Sequence, residues 1–124
     1  MLYAIISEDV KNSLAKRKTA RPAHLERLTQ LKDQGRLILA GPHPLIDSED
    51  PGEAGFSGSL VVAEFNSLVA AQKWTDADPY IDAGVYINVC YTFFGKCPSG
   101  TSANFKLTAS FSDRTASWAC IGQS

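Results

Sequence analysis

The stretch Arg21-Pro22-Ala23-His24-Leu25-Glu26-Arg27-Leu28 decides how the chain divides. It reads as the opening of an amphipathic helix. At 3.6 residues per turn, Leu25, Leu28 and Leu31 fall into one apolar stripe, and His24 lies along its border. Pro22 suits the first turn of such a helix, where its missing N–H has no partner to lose. A helix begun near Val10 would instead be kinked there. Gly35 supplies the left-handed residue that commonly ends a helix.

Outward from this helix the texture alternates. Residues 2–7 read as a short buried strand closed by Glu8-Asp9. The basic run Lys16-Arg17-Lys18 reads as a solvated face. Residues 36–40 form a second strand, ended by Gly41-Pro42. Residues 41–57, with three prolines and four acidic residues, make a long irregular segment, and such segments are often functional. A lid or rim is expected there. Residues 58–65 resume as a third strand. Asn66-Ser67 caps a second helix over 68–77, with Ala70, Ala71 and Trp74 on its buried face. Asp78 precedes Pro79, which holds Asp78 out of the helical region and forces a bend. One more turn over 80–83 leads to a fourth strand at 85–91.

The order is therefore β-α-β-β-α-β, an α+β ferredoxin-like arrangement with two helices on one face of a four-stranded sheet. The other face is left bare and apolar, so a homodimer through the sheet faces is expected. Past Phe94 the chain turns rich in Ser, Thr, Ala and Gly. Residues 1–96 are read as the domain and 97–124 as an atypical C-terminal extension, in which 105–109 could form a strand. Gly95-Lys96-Cys97 is not a P-loop, because residue 90 is Cys and residue 97 is neither Ser nor Thr.

Composition narrows the function. The 124 residues, 44% hydrophobic and 20% charged, suit one globular domain with its own core. Twelve basic residues against thirteen acidic ones give a net charge of -1, which argues against nucleic-acid binding. No apolar run reaches the ~18 residues of a membrane span. The first residues lack the basic region of a signal peptide. Three cysteines without C-x-x-C spacing suggest neither a disulfide framework nor a zinc site, and a reducing cytoplasm is the expected setting.

Ordered motifs over three quarters of the chain resemble the YCII-like family of small bacterial proteins, within the dimeric α+β barrel superfamily. They are Arg21-Pro22-Ala23-His24-Leu25, Gly35-Arg36-Leu37 running into Ala40-Gly41-Pro42, and Gly55-Phe56-Ser57-Gly58-Ser59. Asp76-Ala77-Asp78-Pro79-Tyr80 and Ala83-Gly84-Val85-Tyr86 follow. The resemblance implies a ferredoxin-like fold paired across a dimer and a cleft holding a His–Asp catalytic dyad. By position the dyad is His24 and Asp78. Ser59, Tyr80 and Gly41 are the neighbours expected to meet a substrate. Relatives are associated with lyase or dehydrohalogenation chemistry on small ring compounds. Thr92-Phe93-Phe94 departs from the Lys-Pro-Phe that usually ends the family's last strand.

The chemistry fits the residue types. An imidazole titrates near neutrality, and a carboxylate on one ring nitrogen fixes its tautomer and steadies its charged form. The competing reading makes His24 an edge-of-core histidine bonded to a carbonyl, and Asp78 an ordinary turn residue. His43, between two prolines, is expected to be exposed. Two isolated histidines do not make a metal site, and no dinucleotide or phosphate fingerprint calls for a cofactor. Two classes follow: a cofactor-free acid–base enzyme of lyase, isomerase or dehydrohalogenase type, or a non-catalytic small-ligand-binding module using the same cleft.

Overall fold

The computed structural model describes residues 1–95 and 119–122. Its elements are β1 (Leu2–Asp9), α1 (Leu14–Asp33), β2 (Leu37–Pro44), β3 (Phe56–Glu64), α2 (Leu68–Asp76), α3 (Pro79–Asp82), β4 (Tyr86–Phe94) and β5 (Ala119–Gly122). They build one antiparallel sheet in the order β2-β3-β1-β4-β5. The first four strands with their helices are the expected α+β ferredoxin-like order. The fifth strand lies within the segment read as an extension. The strand considered at 105–109 lies outside the described residues.

β1 is central because it is apolar on both faces, with Leu2, Tyr3, Ala4 and Ile5 all buried. Its register opposes Tyr3 to Ala63 and Phe93, and Ile5 to Val61 and Tyr91. Partners across a ladder share a face, so Tyr3, Ile5, Val61, Ala63 and Tyr91 form the floor of one core. Leu31 of α1, Ala71 of α2 and Tyr80 of α3 close it from above. Each large apolar side chain enclosed this way contributes roughly 1.5–3 kcal/mol. That is enough for α1 to carry polar groups on part of its inner face.

Four expectations are corrected. First, α1 begins at Leu14, so Pro22 lies inside the helix and His24 is mid-helix, not at its start. Pro22 and Lys18, whose carbonyl loses its N–H partner, are both exposed, and water can take the missing bond. The buried residues of α1 are Arg17, His24 and Leu31, two turns apart. Leu28 is only partly buried and Leu25 is exposed. The inner stripe is largely polar, which is why apolar periodicity placed the helix start too late.

Second, β2 does not end at Gly41-Pro42 but continues to Pro44. It is an edge strand, and proline is tolerated where one side of the ladder is unpaired. The irregular segment shrinks to residues 45–55, with a single 3-10 turn at Gly52–Ala54. Third, the face opposite the helices is not uniformly bare. Leu2, Ala4 and Val62 on it are buried within this chain, while Leu39 and Phe94 are exposed. Fourth, Cys90 is disulfide-bonded, a single bridge where none was expected. No helix among the described residues is long and apolar enough to cross a membrane.

Candidate active site

α1 crosses the sheet so that its positions 17, 24 and 31 face inward, and α3 brings Asp78 up against the middle one. Asp78 is extended (φ -70°, ψ 135°), as its place before Pro79 requires, and it caps α3 by accepting the Tyr80 N–H at 2.8 Å. The same carboxylate lies 2.9 Å from Nδ1 of His24 through either oxygen. Arg27, one turn further along α1, adds a longer contact of 3.3 Å to Asp78 and donates at 2.7 Å to the Trp74 carbonyl.

Both His24 and Asp78 are buried. A buried carboxylate is costly unless several donors meet it, and three do here. An ionised carboxylate can only accept, so Nδ1 carries the proton and the lone pair of a neutral imidazole falls on Nε2. Nε2 has no partner among the described residues. The expected pairing of His24 with Asp78 is thus direct.

Tyr80 serves as a platform. Its ring stacks on the His24 imidazole at 3.9 Å and 10°, and meets the Tyr86 ring edge-on at 5.7 Å. Burial raises the Tyr80 pKa, and the positive charges of Arg17 and Arg21 pull it partly back. The phenol therefore stays protonated at neutral pH. Tyr80 was expected as a neighbour that meets a substrate; its ring also fixes the plane of the histidine.

Arg17 was misread. The run Lys16-Arg17-Lys18 is not a uniformly solvated face, since Lys16 and Lys18 are exposed but Arg17 is buried. Its guanidinium grips Asp9 with two bonds of 2.6 and 2.8 Å, and Nη2 also reaches the Gly58 carbonyl at 2.9 Å and Ser59 Oγ at 2.8 Å. Burial works against the Arg17 charge, but the bond to Asp9 and that residue's charge prevail and raise its pKa. Gly58 is required for close approach: a Cβ there would sit 2.0 Å from the Ser7 carbonyl oxygen. Burial pushes the Tyr86 pKa up to about 12, against the opposing influence of the nearby Ser59 and Ser7. The available signal for Arg17 was its spacing, seven residues before His24 on the same helical face.

Between α1 and the β2–β3 edge lies a cleft of about 210 Å³. It is reached by His24, Tyr80, Ser59 and Gly41, with Arg17 and Arg21 beside them. All five residues expected at the site are accounted for: Asp78 stands behind His24 and the other four line the cleft. A Cβ on Gly41 would meet nothing within 4 Å, so the fold does not require glycine at this point in the wall. Of the segment expected as a lid or rim, Gly41 and Pro42 border this cleft, as part of β2, and none of residues 45–55 lines it. A larger hollow of about 700 Å³ opens near the start of α1. Its Glu8, Lys11, Lys18 and Glu53 are all exposed, so the smaller cleft, with its oriented groups, is the better candidate. His43 is exposed, as expected. Among the described residues no three His, Cys, Asp or Glu side chains cluster as metal ligands.

Residues 1–94 match the YCII-related domain. Over 96 residues the chain is 59% identical to Protein YciI of Escherichia coli, covering 77% of this chain and 98% of that protein. The chain belongs to the YCII-related family. An uncharacterised protein of Haemophilus influenzae is 50% identical over 96 residues, with the same coverage. The fold is also similar to that of 5-chloro-2-hydroxyhydroquinone dehydrochlorinase from Burkholderia phenoliruptrix, solved with 2,5-dihydroxybenzoquinone. The TM-score is 0.70 at 24% identity, over 78% of this chain and 96% of that one. In this YCII-related domain every residue of both clusters, from Asp9 to Tyr86, falls inside the matched region.

Proposed function

We propose that the chain is an acid–base enzyme of the lyase, isomerase or dehydrohalogenase type acting on a small metabolite. The observation that carries this is His24, held at Nδ1 by Asp78 at 2.9 Å while it lines the cleft. In such a reaction Nε2 takes a proton from carbon, and the C–H electron pair forms a double bond or an enolate. A leaving group on the adjacent carbon then departs with its own electron pair. The imidazolium, steadied by Asp78, returns the proton to that group or to solvent. Positioned proton transfer of this kind is worth ~10²–10⁴ in rate.

The fold neighbour's activity, a dehydrochlorination, supports this reaction class. The cleft is below the ~300–1,000 Å³ of sites for drug-sized ligands, which supports a small substrate. Exposed Leu39 and Phe94 on the helix-free face support a homodimer formed there.

The test is the titration of the His24 ring, followed by NMR, in wild type and Asp78→Asn. The dyad requires the two curves to differ. Superimposable curves would sink it and return His24 to a structural role. A ligand that binds without turnover would favour the non-catalytic module.

A further inference from the structure

We propose that the substrate of this cleft is a small organic monoanion, a carboxylate or phenolate on an apolar body, whose charge is held by Arg21 with help from Arg17. The proposal rests on the acid–base reading of His24 and adds the chemical class of what it acts on.

The charges of the cleft lead there. Two carboxylates lie close by, but both are turned away and occupied. Asp9 is bound by Arg17 and Ser13, and Asp78 by His24, Arg27 and the Tyr80 N–H. Among the described residues no carboxylate lines the cleft, whereas two arginines do. Arg17 is neutralised by Asp9. Arg21, one turn later on the same face of α1, is exposed and has no ion pair or hydrogen bond among the described residues. Its charge nevertheless acts on Tyr80 in the cleft wall. The lining therefore carries one uncompensated positive charge beside His24.

A free donor points the same way. Oδ1 of Asn88 is the sole fully enclosed side-chain polar atom without a partner among the described residues. Nη1 of Arg17 makes no hydrogen bond among the described residues, so it is not fully enclosed. Arg17 is otherwise buried and lines the cleft, which leaves the cleft as the space this nitrogen opens to. The remaining wall is apolar, from Leu25, Leu28, Leu60 and Val61. An anion with an apolar body satisfies both halves, and low-polarity walls strengthen its attraction to the guanidinium groups.

The arrangement also suits the reaction. When Nε2 removes a proton from carbon, negative charge grows on the substrate. Cations already beside that position stabilise it more than they stabilise the ground state. Arg21 would thus act as a binding residue whose contribution rises during proton transfer.

Matched acids and amides provide the test: benzoate with benzamide, crotonate with crotonamide, and 2-furoate with 2-furamide. Each is titrated into the intact protein at low salt, and binding is read from the NMR shifts of the His24 ring. At least one acid should bind about tenfold or more tighter than its amide. Arg21→Gln should remove that preference, and Arg21→Lys should keep most of it. Arg21 is exposed and unpartnered, so these variants should fold normally. The proposal is overturned if no acid binds at millimolar concentration, if the amides bind as well, or if Arg21→Gln leaves the preference intact. The coupling of His24 to Asp78 is measured without ligand, so either reading can fail while the other stands.

Discussion

Two buried carboxylates, Asp9 and Asp78, are each held by a side chain from the inner face of α1. Arg17 holds Asp9 by 2.6 and 2.8 Å bonds, and His24 holds Asp78 at 2.9 Å. The holders are two helical turns apart and comparably buried. One carboxylate is matched to a cation that never gives up its proton; the other is matched to an imidazole, a group able to serve as acid or base. The first pair fastens α1 to β1 and to the start of β3. The second can exchange a proton without losing its geometry. The difference separates a structural fastening from the pair we propose as catalytic, built on the same plan.

Removing each holder in turn should break the comparison most forcefully. Arg17→Ala leaves Asp9 buried with only Ser13, and should destabilise the fold by roughly 3–5 kcal/mol. His24→Ala leaves Asp78 with Arg27 and the Tyr80 N–H, so its cost should be nearer 1–3 kcal/mol. Once a substrate is known, the same variant should lose ~10²–10⁴ in rate. Urea unfolding of the two variants checks the first contrast. Equal stability losses would erase the distinction.

An effect smaller than the Arg17→Ala loss is expected at high pH, chiefly through Tyr86 on the Arg17 side. An unfolded tyrosine loses its proton near pH 10, and the folded Tyr86 does so at about 12. The stability this difference supplies, roughly 2–3 kcal/mol, is complete below pH 10 and lost as pH rises toward 12. Tyr86→Phe should flatten the alkaline fall in melting temperature. Tyr80 and Tyr91, raised in the same direction by burial, keep part of it. An unchanged alkaline slope in the variant would remove Tyr86 from this account.

The smallest effect should come from the C-terminal segment. We propose that residues 1–96 form the domain and that 97–124 extend it. Ending the chain at residue 96 removes the short edge strand β5 and, with Cys97 and Cys120, the bridge to Cys90, but no residue of either cluster. Such a chain should fold, and its His24 titration should match the full chain's. Loss of folding would place the boundary elsewhere.

The first four strands were legible because their β-branched and aromatic runs alternate, and β1 announces its central place by being apolar on both faces; β5, in the segment read as an extension, was not. Asp78 was legible because a residue before proline cannot continue a helix. Its pairing with His24 rested on the family resemblance as well. The start of α1 was not legible, because Arg17 occupies an inward position that hydrophobic periodicity assigns to leucine. For the same reason a buried arginine passed for part of a solvated run. The end of β2 was missed because prolines that would stop an interior strand are tolerated on an edge. Local patterns carry no record of which strand will lie outermost.

Asp78, Tyr80 and His24 close a small triangle: carboxylate to imidazole, carboxylate to the Tyr80 backbone, and Tyr80 ring to imidazole. Each side restrains a different motion, so the imidazole cannot flip or tilt without disturbing the first turn of α3. Its rotational freedom is surrendered when the chain folds, long before any ligand arrives. Arg21, a long side chain in solvent, keeps its freedom until capture. The entropy lost on binding should therefore fall on the arginine that receives the charge, while the histidine waits already aimed.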